Sequence, residues 1–336
     1  MEAIRNVARE RMKGYCRVCP VCDGRACAGE VPGMGGLGTG SAFRANLKSL
    51  AAWRFNMRLV HDVSDPETRV DILGASLALP LLAAPIGGVS FNMGGKITEE
   101  EYIAAVLGGC IQAGILGCVG DGVPDFIHQA GYAAMKALGG RAIPFIKPWE
   151  EAAFFDKVDQ ALAAGASIIG MDIDAAGLIT LKQMGRPVSP KSPKKLGEII
   201  SRVKAHFILK GVMGVADAKM AVDAGARAIV VSNHGGRVLD HTPGAAEVLP
   251  EIADAVKGKI AILVDGGVRS GGDILKMLAL GADAVMIGRP VSVAAMGGLQ
   301  AGVLQYIQRI TGEFKAAMVL TGTARADQVN RTILRV

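Results

Sequence analysis

A chain of 336 residues that is half hydrophobic can bury a large core, and 45 glycines without a G-X-Y period indicate many tight corners rather than collagen or disorder. A net charge of +6 suits a small anionic ligand, but Lys and Arg form no long run and aromatics are only 4%, which argues against nucleic acid. No apolar run approaches the roughly 20 residues a membrane helix needs and the N-terminus lacks a signal-peptide core, so we expect a cytoplasmic protein with no membrane partner; there, six cysteines are thiols or metal ligands rather than disulfides.

Residues 1–40 read as a short helix, a cysteine-dense loop to about Cys27 and a glycine-rich connection from Val31 to Gly40. A helical pattern follows over 41–55 with Leu47, Leu50 and Ala51 on one face, then a strand pair, Val70–Ile72 and Ala75–Leu77, turning at Gly74. From Leu81 onward, short apolar runs at 81–85, 115–119, 142–146, 167–173, 206–209, 228–232, 260–264 and 284–287 alternate with helix-length segments. Pro124-Asp125, for example, opens one such segment and Gly139-Gly140 closes it. A helical pattern over 297–320 and a short terminal extension complete the chain.

Eight such units fit an α/β fold, a (β/α)8 TIM barrel, although an open doubly wound sheet has the same periodicity. The barrel is favoured because Lys147, Asp172, Asp174, Lys210, His234, Asp265, Gly288 and Arg289 fall where the last six runs end. Barrel enzymes keep their chemistry on that face. The expected organisation is a helical, cysteine-rich extension over 1–40 and a barrel over 41–336 with its lead-in and C-terminal helices.

Three stretches carry chemistry. In Asp265-Gly266-Gly267-Val268-Arg269 and Gly288-Arg289, glycines let backbone N–H groups approach an anion and the arginines can grip a phosphate. Tight turns with helix-capping arginines are the plainer reading. In Ser232-Asn233-His234-Gly235-Gly236-Arg237, a histidine just past a strand can take a proton near neutral pH, and Arg237 can bind a carboxylate. His61, His128, His206 and His241 read as structural, and Cys110 and Cys118 as packing residues. The spacing Cys16-x2-Cys19-x2-Cys22-x4-Cys27 suits zinc or an iron–sulfur cluster, against four unligated thiols in a loop.

The segment from Lys210 to Pro290 resembles the FMN-dependent α-hydroxy acid dehydrogenase/oxidase family. The likeness rests on Lys210-Gly211-Val212, on Ser232 to Arg237 with Val238 in place of the family's Gln, and on Leu239-Asp240, Asp265 to Arg269, Lys276 to Ala282 and Gly288-Arg289-Pro290. Leu82-Ala83-Ala84-Pro85 resembles the family's first barrel strand, and the surroundings of Asn46 and Val60-His61-Asp62-Val63 match loosely. The resemblance implies FMN as cofactor and oxidation of a small 2-hydroxy acid, lactate- or glycolate-like. His234 would be the base as a formal hydride passes to flavin N5, Asp174 its partner and Lys210 the cation near flavin N1. Arg237 would bind the substrate carboxylate. Asp265 and Arg269 would hold the ribityl-phosphate, Gly266, Gly267, Gly288 and Arg289 the phosphate, and Ser232 with the backbone of Pro85, Ile86 and Gly87 the flavin. Family likeness also implies a homo-oligomer, a tetramer.

The departures lie in the substrate half. The family's N-terminal tyrosine falls on Gly33-Met34, its Gln-x-Tyr on Pro144 to Lys147, and its second arginine near Leu181, where Lys182 or Arg186 are the substitutes at hand. The cysteine cluster is foreign to the family pattern; beside a flavin, a cluster would carry electrons to an acceptor protein. The competing functions are another reaction on the same flavin barrel, such as the isomerisation of the related type 2 isopentenyl diphosphate isomerases, and a non-catalytic flavin- or metal-binding protein.

Overall fold

The computed structural model describes residues 1–178, 181 and 184–336. The apolar runs form eight parallel strands: β1 (Leu81–Ile86), β2 (Leu116–Val119), β3 (Ile143–Ile146), β4 (Ile168–Asp172), β5 (His206–Val212), β6 (Ala228–Val231), β7 (Ala261–Val264) and β8 (Ala284–Ile287). They pair in sequence order and β8 closes on β1, with Val285 opposite Leu81 and Ile287 opposite Ala83. That closure is what separates the barrel from the open sheet, and periodicity could not supply it. The ends of the strands match the expected runs to within a residue or two except in β5, which continues through Lys210 and Gly211 to Val212.

The strands are apolar on both faces because both are covered, and β3, β4, β6 and β8 are buried throughout. Around them, helices begin where the sequence supplies caps. Thr98 and Ser270 each close a capping box, with Glu101 and Asp273, and Ser192 caps a helix with Pro193 in its first turn. Val70–Ile72 and Ala75–Leu77 form the expected antiparallel pair.

Helix α1 (Glu2–Arg11) lies on the C-terminal helix Arg289–Thr321, and Arg11 donates to Met296 O at 2.8 Å. The latter helix starts at Arg289 rather than at Gly297. A Cβ at Gly297 would lie 2.0 Å from Ile4 O, so the glycine lets α1 approach. The helix does kink at Leu299 (φ 48°). Helix α2 (Ser41–Ala52) ends three residues before the expected Phe55, because Arg54–Phe55 instead pairs with Leu334–Arg335. Among the described residues no helix is long and apolar enough to cross a membrane.

Candidate active site

The C-terminal ends of β4 to β7 converge on a buried set of charges. Register places Lys210 opposite Asp172, and the Lys210 ammonium lies 3.0 Å from Asp172 Oδ1 and 3.9 Å from Asp265 Oδ2. Burial opposes the charge on Lys210, but Asp172, Asp174 and Asp265 outweigh it and hold its pKa above the ordinary lysine range. Asp265 is shifted the other way: burial raises its pKa despite Lys210, and its Oδ1 is buried without a hydrogen-bond partner.

Asp174 sits in the 3-10 turn Ile173–Gly177 after β4. It fits against β5 because residue 211 is glycine: a Cβ there would come 2.6 Å from the Asp174 Cβ, and φ is 101°. Both Asp174 carboxylate oxygens lie 3.1 Å from His234 Nδ1. Burial works against the Asp174 charge, but His234 and Lys210 prevail and lower its pKa to about 2. His234 itself has φ 56°, a left-handed backbone that is uncommon outside glycine and concentrates at functional sites. The Ser232 hydroxyl, fully buried, secures it by accepting from His234 N at 3.0 Å. With Nδ1 on Asp174, Nε2 of His234 has no partner among the described residues. That is the arrangement of a base held by one nitrogen and free at the other.

A second group consists of Arg237, Arg269 and Arg289, none of which pairs with a carboxylate among the described residues. Arg237 donates to Gly33 O at 2.6 Å, Gly35 O at 3.1 Å and Asn92 Oδ1 at 3.1 Å. Arg289 donates to Met34 O at 2.8 Å and to Gly235 O at 3.0 Å, and its guanidinium lies 4.1 Å from the centre of the Phe43 ring. Arg269 donates to Val268 O, while its buried Nε has no partner. Burial lowers the Arg237 pKa to about 10; burial, then Arg237 and Arg269, lower that of Arg289 to about 9. Three guanidiniums without a counter-charge are a place for anions.

The Gly33, Met34 and Gly35 carbonyls that meet Arg237 and Arg289 come from the glycine-rich connection expected near a site. It is docked by Leu37 N on Gly236 O at 2.8 Å, and by Asp240, which accepts from Thr39 N at 2.6 Å and Ala42 N at 3.1 Å. Gly266 and Gly267 (φ 101° and 85°) make room for α2, since a Cβ at either would fall within 2.8 Å of Asn46 atoms. Ala84 to Gly87 are half-buried at the end of β1, where the β1–β2 register shifts between Ala83 and Ile86.

In the substrate half, Gly33 and Met34 offer only backbone carbonyls to the arginines. Lys147 follows β3, and its side chain makes no hydrogen bond or ion pair among the described residues. Arg186 is taken up by Asp125 at 3.3 Å and lies over the Trp149 ring, while Lys182 lies outside the described residues. Several contributors carried little or no sequence signal. Asn46 of α2 bonds Asn233 at 2.8 Å and accepts from Ala245 N, and buried Glu99 accepts from Gly88 N and Val89 N behind β1. Each contact joins segments that no local pattern connects, although Asn46 lies in a stretch that matched the family loosely.

Cys110 and Cys118 are buried packing residues, with burial pushing the Cys110 thiol up to about 12. Cys16, Cys19, Cys22 and Cys27 are all unpaired and partly exposed. Among the described residues, Asp172, Asp174 and His234 form the sole group of three potential metal ligands within 4.8 Å of one another. Lys210 already supplies positive charge to those carboxylates.

The residues fit FMN: the orphaned Asp265 Oδ1 and Arg269 Nε are buried polar atoms awaiting partners, and uncompensated arginines suit a phosphate. A family model described as FMN-dependent dehydrogenase matches residues 33–186 and 180–336. A 4-hydroxymandelate oxidase from Amycolatopsis orientalis is 32% identical over 91% of this chain and 95% of its own. An L-lactate dehydrogenase from a Caulobacter strain is 50% identical over 143 residues, 42% of this chain and 37% of its own. A crystal structure of mandelate oxidase superposes with a TM-score of 0.81 at 30% identity, covering 99% of this chain and 97% of that one.

Proposed function

The chain belongs to the FMN-dependent dehydrogenase family, whose relatives oxidise 2-hydroxy acids, and from that premise we propose that it converts a small 2-hydroxy acid to the 2-oxo acid. The carrying observation is His234: Nδ1 held by both oxygens of Asp174 at 3.1 Å, and Nε2 unpartnered in the described residues. His234 Nε2 takes the substrate proton, and Asp174 fixes the tautomer and stabilises the imidazolium that forms. When bound, FMN supplies the acceptor for the electron pair at its N5. Lys210 provides a fixed positive charge that favours the reduced, anionic flavin.

Arg237 holds the substrate carboxylate, exchanging its carbonyl contacts for a charged partner. Asp265 and Arg269 hold the ribityl-phosphate, Gly288 and Arg289 the phosphate with the corner at Gly266-Gly267, and Ser232 with the backbone of Pro85, Ile86 and Gly87 the flavin. On the same reading residues 1–40 are an extension on a barrel of 41–336, and the enzyme is a cytoplasmic homotetramer.

The test is anaerobic mixing of the FMN-loaded protein with a panel of 2-hydroxy acids. Flavin bleaching is expected for at least one of them, slowed about 10²- to 10⁴-fold in His234→Ala with FMN content unchanged. A variant that bleaches as fast as the parent removes His234 as the base. Failure of every 2-hydroxy acid with an intact flavin favours a different reaction on the barrel.

A further inference from the structure

The cysteine loop is not needed for the chemistry above, yet it is built against it. After α1 the chain turns at Tyr15 and Cys16, whose N–H groups both return to Met12 O at 2.9 Å. Val18 follows in a left-handed conformation (φ 46°) although it is β-branched and buried, a costly backbone for such a residue. Arg5 and Arg9 of α1 hold it there through the carbonyls of Val18 and Cys19, and Arg17 grips Glu30 with two bonds of 2.7 Å. Farther on, a Cβ at Gly24 would lie 2.4 Å from the Phe43 ring and one at Gly35 would lie 2.0 Å from Cys27 O. The loop is thus wedged onto Phe43, the ring under Arg289. Cys22 Sγ lies 3.8 Å from Arg269 Nη2, the same guanidinium whose Nε is orphaned.

Two arguments identify what four such thiols would hold. Their first three members follow the C-x2-C-x2-C spacing of iron–sulfur sequences, with Cys27 as the fourth ligand. The second argument is charge: the negative charge of an iron–sulfur cluster suits a wall of arginines that make bonds to carbonyls rather than to carboxylates.

We infer that Cys16, Cys19, Cys22 and Cys27 hold a four-iron cluster that drains the flavin, one electron at a time, to a one-electron acceptor protein. This rests on the FMN reading of the neighbouring site. Each turnover releases two electrons and two protons from the 2-hydroxy acid. The cluster is reduced and reoxidised twice, two equivalents of acceptor are reduced, and the protons leave to water.

The full chain is to be purified anaerobically, reconstituted with ferrous iron and sulfide, and assayed for iron, acid-labile sulfide, zinc and FMN. The expected result is about four iron and four sulfide per chain. An EPR signal should develop with dithionite and also on anaerobic addition of a 2-hydroxy acid that bleaches the flavin. Cys19→Ser/Cys22→Ser should lose the iron and the signal while keeping FMN and substrate-driven bleaching, which shows that the barrel is folded. Stoichiometric zinc without iron, or no metal after reconstitution, overturns the cluster. A loaded cluster that stays oxidised while substrate reduces the flavin overturns the electron outlet. Iron without flavin sinks the FMN reading instead and leaves the cluster standing.

Discussion

Two buried lysine–carboxylate clusters lie at the same end of this barrel, and their difference separates architecture from function. Beyond β2, Asp121 accepts from Gly122 N at 2.8 Å and Lys157 Nζ at 3.0 Å on one oxygen, and from Lys147 N at 3.0 Å and Trp149 Nε1 at 2.6 Å on the other. Lys157 also meets His128 Nδ1 at 2.6 Å, and burial together with the Lys157 charge lowers the His128 pKa, so the neutral ring accepts from the ammonium. Both Asp121 oxygens are used twice over. In the other cluster Lys210 faces Asp172 and Asp265, yet Asp265 Oδ1 is left without a partner. A satisfied network holds loops in place; an unsatisfied one of the same composition awaits a ligand.

The sharpest way to break the comparison is to remove each lysine. Lys157→Met leaves a buried carboxylate uncompensated and should cost about 3–5 kcal/mol, read as a lower urea midpoint. FMN affinity of the folded fraction should remain within about twofold, as distant sites act independently. Lys210→Met should lose stability and substrate-driven flavin bleaching together. Bleaching that survives in Lys210→Met, or FMN binding lost in a folded Lys157→Met, would show that the two clusters do not divide as argued.

Asp174→Asn tests the polar partner of His234. Bleaching should slow about 10²- to 10⁴-fold with FMN retained. Its pKa, about 2 against an ordinary 3.8, also carries stability. A carboxylate depressed on folding stabilises above its ordinary pKa and loses that contribution as pH falls towards the folded value. The parent's advantage over the variant should therefore shrink by roughly 2 kcal/mol between pH 5 and pH 2, measured by urea unfolding at each pH.

The smallest effect belongs to Asp265→Asn. Its pKa is raised in the fold, so ionisation works against folding as pH rises above the carboxylate range. Before FMN is added, the variant should unfold at higher urea than the parent at pH 7. It should also bind FMN about tenfold more weakly, because one charged acceptor is gone. A variant that is less stable at pH 7 would mean that Lys210 needs the second carboxylate more than burial penalises it.

The barrel was legible because its signals are local: an apolar run, a polar residue at its end and a glycine or cap before the next helix. His234, Asp174, Lys210, Arg269 and Arg289 sit at strand ends and could be singled out in the chain. The wall of the site could not be. Arg237 meets Gly33 across 204 residues, and Asn46 meets Asn233 across 187. Gly211 lies beyond the expected end of β5 at residue 209, whereas in three dimensions it is within the strand and is the space that Asp174 occupies. Gly266 and Gly267 read as anion-binding glycines and also proved to be the clearance for α2.

By itself, then, the sequence determined the eight βα units and which charged groups stand at their ends, since strand period and helix caps act between neighbours in the chain. Only the tertiary structure decided what those groups face. It closed β8 on β1, laid the glycine-rich connection over Arg237 and Arg289 and set the cysteine loop against Phe43 and Arg269. Contacts between segments a hundred or more residues apart depend on how the closed barrel packs its own ends, which no local pattern encodes.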